Sequence, residues 1–161
     1  MDQTKYGFIK KYYNSTIVYG DTDSIFFKFN DINDDDPDAF YKVWDKSVDF
    51  TNKFNKYMAE KLKRPFLQME LEKVFSKLFL PGVKKQYMGL LHMKRVHTNY
   101  FTKIMGGNFI KKDSSPFEST HGAKIANLLL NNDINIARKK IKLYIDELIS
   151  LVYHDKINIE D

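Results

Sequence analysis

The chain has 161 residues, enough for one domain of ordinary size with its own core, and it contains no cysteine, which excludes a disulfide framework and a thiolate zinc site. Lysine and arginine number 26 against 21 acidic residues, for a net charge of +5 and a pI near 9.1, a balance that suits either a solvated lysine-rich surface or a nucleic-acid contact. No apolar run approaches the roughly 18 residues of a membrane span, and the opening MDQTKYGFIKK lacks the apolar stretch of a signal peptide, so the expectation is a soluble, intracellular protein without a membrane partner.

In chain order, Tyr6 to Tyr13 read as the end of a helix. Two β-favouring runs follow, Thr16 to Tyr19 and Ser24 to Phe29, placed around Gly20-Asp21-Thr22-Asp23 as the arms of a hairpin. Asp36-Pro37 supplies an N-cap and a proline at the first helical position, and Phe40, Val43, Trp44, Val48, Phe54, Tyr57 and Met58 keep helical spacing to about Leu62. This helix should lay one face on a sheet. From Phe66 the period changes: Met69, Leu71 and Phe75 alternate with Gln68, Glu70 and Glu72, which predicts a strand with one buried face.

Pro81-Gly82 turns the chain, and Lys85 to His92 and Thr98 to Met105 are further strand candidates. Ser115-Pro116-Phe117-Glu118 spells a capping box that opens a helix to about Asn131. A second helix over Asp133 to Tyr153 carries Ala137, Ile141, Tyr144, Ile145, Leu148, Ile149 and Val152 on one face. Strands dominate early and helices late, which predicts an α+β piece followed by a helical one, with the boundary near residues 106 to 115.

The chemistry concentrates in Tyr19-Gly20-Asp21-Thr22-Asp23-Ser24. Aspartates at i and i+2 in extended geometry point to one side, and hard carboxylate oxygens suit magnesium, which takes one or two carboxylates together with substrate phosphates. Such a site serves in-line phosphoryl displacement, where two ions clamp the attacking and leaving oxygens. An ordinary acidic hairpin turn is the plainer alternative, because aspartate and glycine are common turn formers. The run Asp31-x-Asn33-x-Asp35 imitates a calcium loop but fails it at Asp36, where glycine is required, and at Lys42, where a bidentate glutamate belongs. Gly106-Gly107 lacks phosphate-loop context and reads as a hinge or turn.

Three segments in order carry a family resemblance. IVYGDTDSIFF resembles the Tyr-Gly-Asp-Thr-Asp-Ser motif of family B, delta-like DNA-directed DNA polymerases, the second of their catalytic carboxylate motifs. MELEKVFSKLFLPGVKKQYMGLL resembles the family's Leu-Glu-x-Glu-Lys strand and the Lys-Lys-x-Tyr segment after it, and GGNFIKKDSSPF is similar to the stretch leading from palm to thumb. Gln86 departs from the basic residue frequent at its place, as does the wording of Leu78 to Val83. A large DNA virus is one candidate source.

The resemblance implies a partial polymerase palm over residues 1–108, an antiparallel sheet with a packed helix, and the start of an incomplete thumb over 109–161. It implies that Asp21 and Asp23 are the catalytic, metal-binding carboxylates for two Mg2+ ions, with a further carboxylate supplied from outside the chain. Lys84, Lys85 and Tyr87 become the DNA-binding residues that hold the primer-template. Lys111 and Lys112 are either further contacts to the duplex or part of a salt-bridged turn. Glu70 and Glu72 are either acids behind the metal site or the solvent face of their strand.

The sequence holds no Asp-x-x-Ser-Leu-Tyr-Pro-like segment and no Lys-x-x-x-Asn-Ser-x-Tyr-Gly-like helix, the other parts a family B polymerase needs. The expectation is therefore a fragment that works with the remaining part of a polymerase, on primer-template DNA and deoxynucleoside triphosphates, at the site of DNA replication. A non-catalytic DNA-binding or assembly module is the alternative. A small stand-alone nuclease is the third class, weakened by the lack of a third ligand or general base.

Overall fold

The computed structural model describes residues 3–21, 23–106 and 114–154. Among them the fold is α+β, with four helices and two sheets. The elements run α1 (Gln3–Tyr12), β1 (Ser15–Gly20), β2 (Ile25–Phe29), α2 (Ala39–Glu60), β3 (Val74–Phe79), β4 (Tyr87–His92), β5 (Phe101–Met105), α3 (Pro116–Leu130) and α4 (Ile134–Tyr153). They fall into two compact units, the first from residues 1–74 and 92–99, the second from 75–91 and 100–161.

The first unit is built on aromatic residues. β1 and β2 form the expected antiparallel hairpin, Ser15 opposite Phe29 and Gly20 opposite Ile25. Phe8 and Ile9 from α1, Tyr13 just after it, Phe29 from β2, and Phe50, Phe54 and Met58 from α2 make one buried cluster, with Ile17, Ile25 and Phe27 packed against it. The rings meet edge-on, Phe8 on Phe54 at 5.4 Å and Phe27 on Phe50 at 5.1 Å, the favoured arrangement of aromatic quadrupoles. Thus α2 packs on both the hairpin and α1. Its buried stripe is Phe40, Ser47, Phe50, Phe54 and Met58, whereas Val48, expected inside, is 39% exposed.

The start of α2 differs from expectation. Asp36 holds a turn before the helix instead of capping it: its side chain accepts the Asp38 N–H at 2.8 Å and its carbonyl accepts the Ala39 N–H at 2.9 Å. The α-helix begins only after that turn, with Asp38 at the cap position and no side-chain cap.

A larger correction concerns residues 66–73, which are not a strand. Met69 and Leu71 are half-buried between exposed Gln68, Glu70 and Glu72, so the alternation of burial is real. The ladder is missing because the Met69 backbone is satisfied by a helix side chain: Asn55 donates to the Met69 carbonyl at 2.9 Å and accepts from its N–H at 2.8 Å. The strand forms later, at Val74–Phe79.

The second unit is organised by the three-stranded sheet β3-β4-β5, with β4 in the middle and largely buried. β4 and β5 are antiparallel, Tyr87 opposite Met105 and Leu91 opposite Phe101. The helices α3 and α4 follow as a hairpin in which Ala126, Leu130, Ala137 and Tyr144 are buried. Both begin on side-chain caps. Ser115 accepts the Glu118 N–H at 3.1 Å while Glu118 accepts the Ser115 N–H at 3.0 Å, and Asp133 accepts the Asn135 N–H at 2.9 Å.

Candidate metal and nucleic-acid site

The two aspartates are placed by the hairpin. Asp21 prolongs the ladder of β1 by one bond, its N–H donating to the Ser24 carbonyl at 3.1 Å, so it is fixed to the arms of the hairpin, and Asp23 belongs to the turn beyond. Asp21 is half-buried and Asp23 exposed. The neck below them is closed by Tyr19 against Phe26, ring centroids 5.3 Å apart.

A feature unseen in the sequence lies just before. The register jumps between Ile17, opposite Phe27, and Tyr19, opposite Phe26, so Val18 is an extra residue in β1. A bulge of this kind bends and twists a strand and resets which residues face which way, three positions before Asp21. Alternation alone gave no sign of it.

The donor set suits part of a magnesium site. Two carboxylates offer the hard oxygens that the ion prefers, yet among the described residues no three His, Asp or Glu side chains come together as a metal-holding group. Glu70 and Glu72 lie in the extended segment before β3, both exposed, with Glu72 2.9 Å from Lys73. The aspartate run after the hairpin is engaged with lysines: Asp34 meets Lys28 at 2.5 Å, Asp31 meets Lys46 and Asp36 meets Lys42. These partners hold the Asp31 and Asp36 carboxyls below their ordinary range, foremost through the lysine hydrogen bonds.

Lys84, Lys85 and Tyr87 belong to the second unit, at the turn from β3 into β4. Lys84 and Lys85 are exposed, and Lys85 has a left-handed backbone with φ 60°. Tyr87 is different. It starts the central strand, is 8% exposed and packs edge-on against Phe75 with centroids 5.9 Å apart. Lys111 and Lys112 lie outside the described residues.

Arg95 is held within the first unit. Its guanidinium forks onto Asp45 of α2 with two bonds of 2.7 Å and lies over the Tyr41 ring, 4.9 Å from its centroid. Arg95 keeps the Asp45 carboxyl below the usual range, and Asp45 raises the guanidinium. The partners are fifty residues apart, so no local pattern pairs them.

The hairpin with its aspartates, the extended segment and the lysine turn all fall inside one match to the family model for DNA polymerase family B, which covers residues 2–161. The chain belongs to the family B DNA polymerases. It is 28% identical over 121 residues to the DNA polymerase catalytic subunit of Gallid herpesvirus 2, covering 75% of this chain and 8% of that protein. It is 32% identical over 152 residues to the DNA polymerase of Pyramimonas orientalis virus, covering 91% of this chain and 12% of that one. DNA polymerase 1 of Aeropyrum pernix is 29% identical over 103 residues, 64% of this chain and 8% of its own length. The chain thus spans a small part of these polymerases. No helix among the described residues is long and apolar enough to cross a membrane.

Proposed function

We propose that this chain is the carboxylate-bearing part of a family B DNA polymerase, with residues 1–108 the C-terminal half of the palm and 109–161 the start of the thumb, and that it performs template-directed nucleotidyl transfer only with the rest of such an enzyme. The reading is carried by one observation: two aspartates stand at the head of a hairpin clamped by an aromatic core, within a chain that matches the polymerase family along its length. Asp21 and Asp23 would hold magnesium, which when bound offsets the charge that develops on a transferring phosphoryl group.

The chain's own part is positioning. The hairpin would hold the two carboxylates in place for their ions, which is what electrostatic stabilisation of a phosphoryl transfer demands of its ligands. Lys84, Lys85 and Tyr87 would hold the primer-template, the lysines by neutralising phosphates and Tyr87 from the start of the central strand, with Lys111 and Lys112 adding contacts further along the duplex. Glu70 and Glu72 would contribute negative potential behind the metal ligands. The missing carboxylate, the nucleotide-binding helix and the deoxynucleoside triphosphate come from outside the chain, and the place of work is wherever the DNA is replicated.

The test is primer extension. The chain alone should extend nothing; mixed with a polymerase portion that supplies the remaining palm, fingers and nuclease domain, it should extend, and Asp23→Asn in a gel-verified complex should lower the rate about a hundredfold or more. Asp21→Asn should be damaging and less severe. Wild-type extension by a folded Asp23→Asn complex would leave only the alternative, a non-catalytic DNA-binding module.

A further inference from the structure

Gly106 closes on the lysine turn in a way the family reading leaves unused. It follows Met105, the residue of β5 that pairs with Tyr87, and its φ of +71° is a conformation that side chains other than glycine rarely adopt. A Cβ built on it would lie 2.4 Å from the Lys85 carbonyl oxygen, 3.3 Å from the Lys85 carbonyl carbon and 3.0 Å from Cγ of Gln86. Two of those three atoms are backbone and cannot swing aside. Gly82, in the same turn, also has a positive φ of +78°, but a Cβ there would meet nothing. Gly82 answers a conformational demand alone; Gly106 answers a conformational demand and a close approach together.

The residue it approaches is itself unusual. Lys85 holds a left-handed backbone although it carries a side chain, a state that persists only when the surroundings impose it. Three features supply those surroundings: the Gln86 N–H donates to the Val83 carbonyl at 3.2 Å, β4 begins two residues after Lys85 in register with β5, and Gly106 lies against the Lys85 peptide. Moving residue 106 away means moving the Lys85 carbonyl, and with it the direction in which the lysine leaves the turn.

We propose that Gly106 is a positioning residue for DNA binding, its missing side chain allowing the end of β5 to hold the Lys85 peptide so that the lysine is aimed at a phosphate. This rests on the reading of Lys84 and Lys85 as phosphate contacts. The consequence is specific: a side chain at 106 removes Lys85 from the duplex without removing its charge from the protein.

The measurement is binding of the full chain to a double-stranded primer-template across a salt series, by fluorescence anisotropy. Lys85→Gln should lower the slope of log affinity against log salt by roughly 0.9, the signature of one lost phosphate contact on duplex DNA. Gly106→Ala should lower it by the same amount, and the double variant should lose no more than either alone. Gly89→Ala is the control for damage to the sheet, because a Cβ there meets the Lys77 carbonyl oxygen at 2.5 Å and the Phe75 ring at 2.6 Å, not the Lys85 peptide. It should lower the melting temperature and keep the slope. A folded Gly106→Ala protein with the wild-type slope, beside a Lys85→Gln protein whose slope has fallen, overturns the proposal and spares the reading beneath it; an unchanged slope in Lys85→Gln overturns both. Should Gly106→Ala not fold, Gly106→Asn, which tolerates a left-handed backbone but keeps the Cβ, must show the same lost contact. In the wild type, backbone NMR couplings of Lys85 must report the left-handed state with and without DNA, and their absence sinks the proposal without any substitution.

Discussion

The side-chain amide of Asn55 pairs with the peptide groups of Met69 as a neighbouring strand would, accepting the N–H at 2.8 Å and donating to the carbonyl at 2.9 Å. One side chain on α2 thereby does for the extended segment what a ladder does elsewhere, and it fixes the half-buried Met69 against the aromatic core. Removing it leaves a partly buried N–H and carbonyl without their partner. Asn55→Ala should cost about 1 to 3 kcal/mol in urea unfolding, and Asn55→Asp, which keeps the acceptor but loses the donor, should also destabilise. An unchanged unfolding midpoint in Asn55→Ala would show that the pairing contributes nothing.

That pairing also marks the limit of what sequence reading reaches here. Where the determinants are local, the sequence was sufficient: the Ser-x-x-Glu box starts α3 at the expected residue, and the β-favouring runs about Gly20 and Asp21 make the expected hairpin. Where a partner comes from far along the chain, it was not. Residues 66–73 alternate like a strand, but whether an alternating segment joins a sheet depends on what lies beside it, and here a helix amide does. The bulge at Val18, the Arg95 fork onto Asp45 and the burial of Tyr87 have the same origin, since each is settled by residues brought together in the fold. The aspartates stand out in the sequence by type and spacing, and it is their place on the hairpin that was legible; the geometry around Lys85 was not, because it involves the chain at Gly106.

Ser115 offers a local test of stability. Its hydroxyl takes one of the free N–H groups at the start of α3 and Glu118 returns the bond to the Ser115 N–H, so each side chain satisfies one backbone donor. Ser115→Ala should destabilise the second unit by about 1 kcal/mol, and Ser115→Asp, which restores an acceptor and adds charge favourable to a helix start, should recover most of it. Thermal or urea unfolding checks this; equal stability of Ser115→Ala and wild type would mean that water replaces the cap.

His92 predicts a dependence on pH. Its ring is fully buried, 4.5 Å from the Phe40 ring and stacked on His97 at 5.8 Å. Burial, and then the nearby His97, push its pKa below the ordinary value of 6.5, and the Val96 and Asn99 backbone groups only partly oppose this. Because the folded state disfavours the proton, the unfolded chain takes it up more readily as the medium turns acid. The stability that neutral His92 contributes is therefore complete above about pH 6.5 and is lost as pH falls through the lower folded value. Urea unfolding from about pH 8 down to 5 should show this loss, and His92→Gln, less stable at neutral pH, should show a flatter profile over the same range. A profile as steep in His92→Gln as in wild type would assign the acid sensitivity to other groups.

Metal binding by the hairpin should be weak in this chain alone. Asp21 and Asp23 supply two carboxylates, and among the described residues no third His, Asp or Glu joins them. Magnesium sheds its water reluctantly and is usually held by one or two carboxylates with the rest of its shell made of water and substrate phosphates, so two ligands without a nucleotide leave little to offset dehydration. The hairpin is nonetheless preorganised, since the Asp21 N–H is tied to the Ser24 carbonyl at 3.1 Å and the arms are anchored in the core through Phe27 and Phe29. Binding should then be measurable and should fall on Asp23→Asn. Isothermal titration with magnesium or manganese, in the absence of nucleotide, is expected to give affinity far weaker than micromolar, strengthened when the remaining polymerase portion and a nucleotide are added. Sub-micromolar affinity in the isolated chain, lost on Asp23→Asn, would mean that this chain completes a metal site by itself and would overturn the reading of Asp21 and Asp23 as one part of a shared centre.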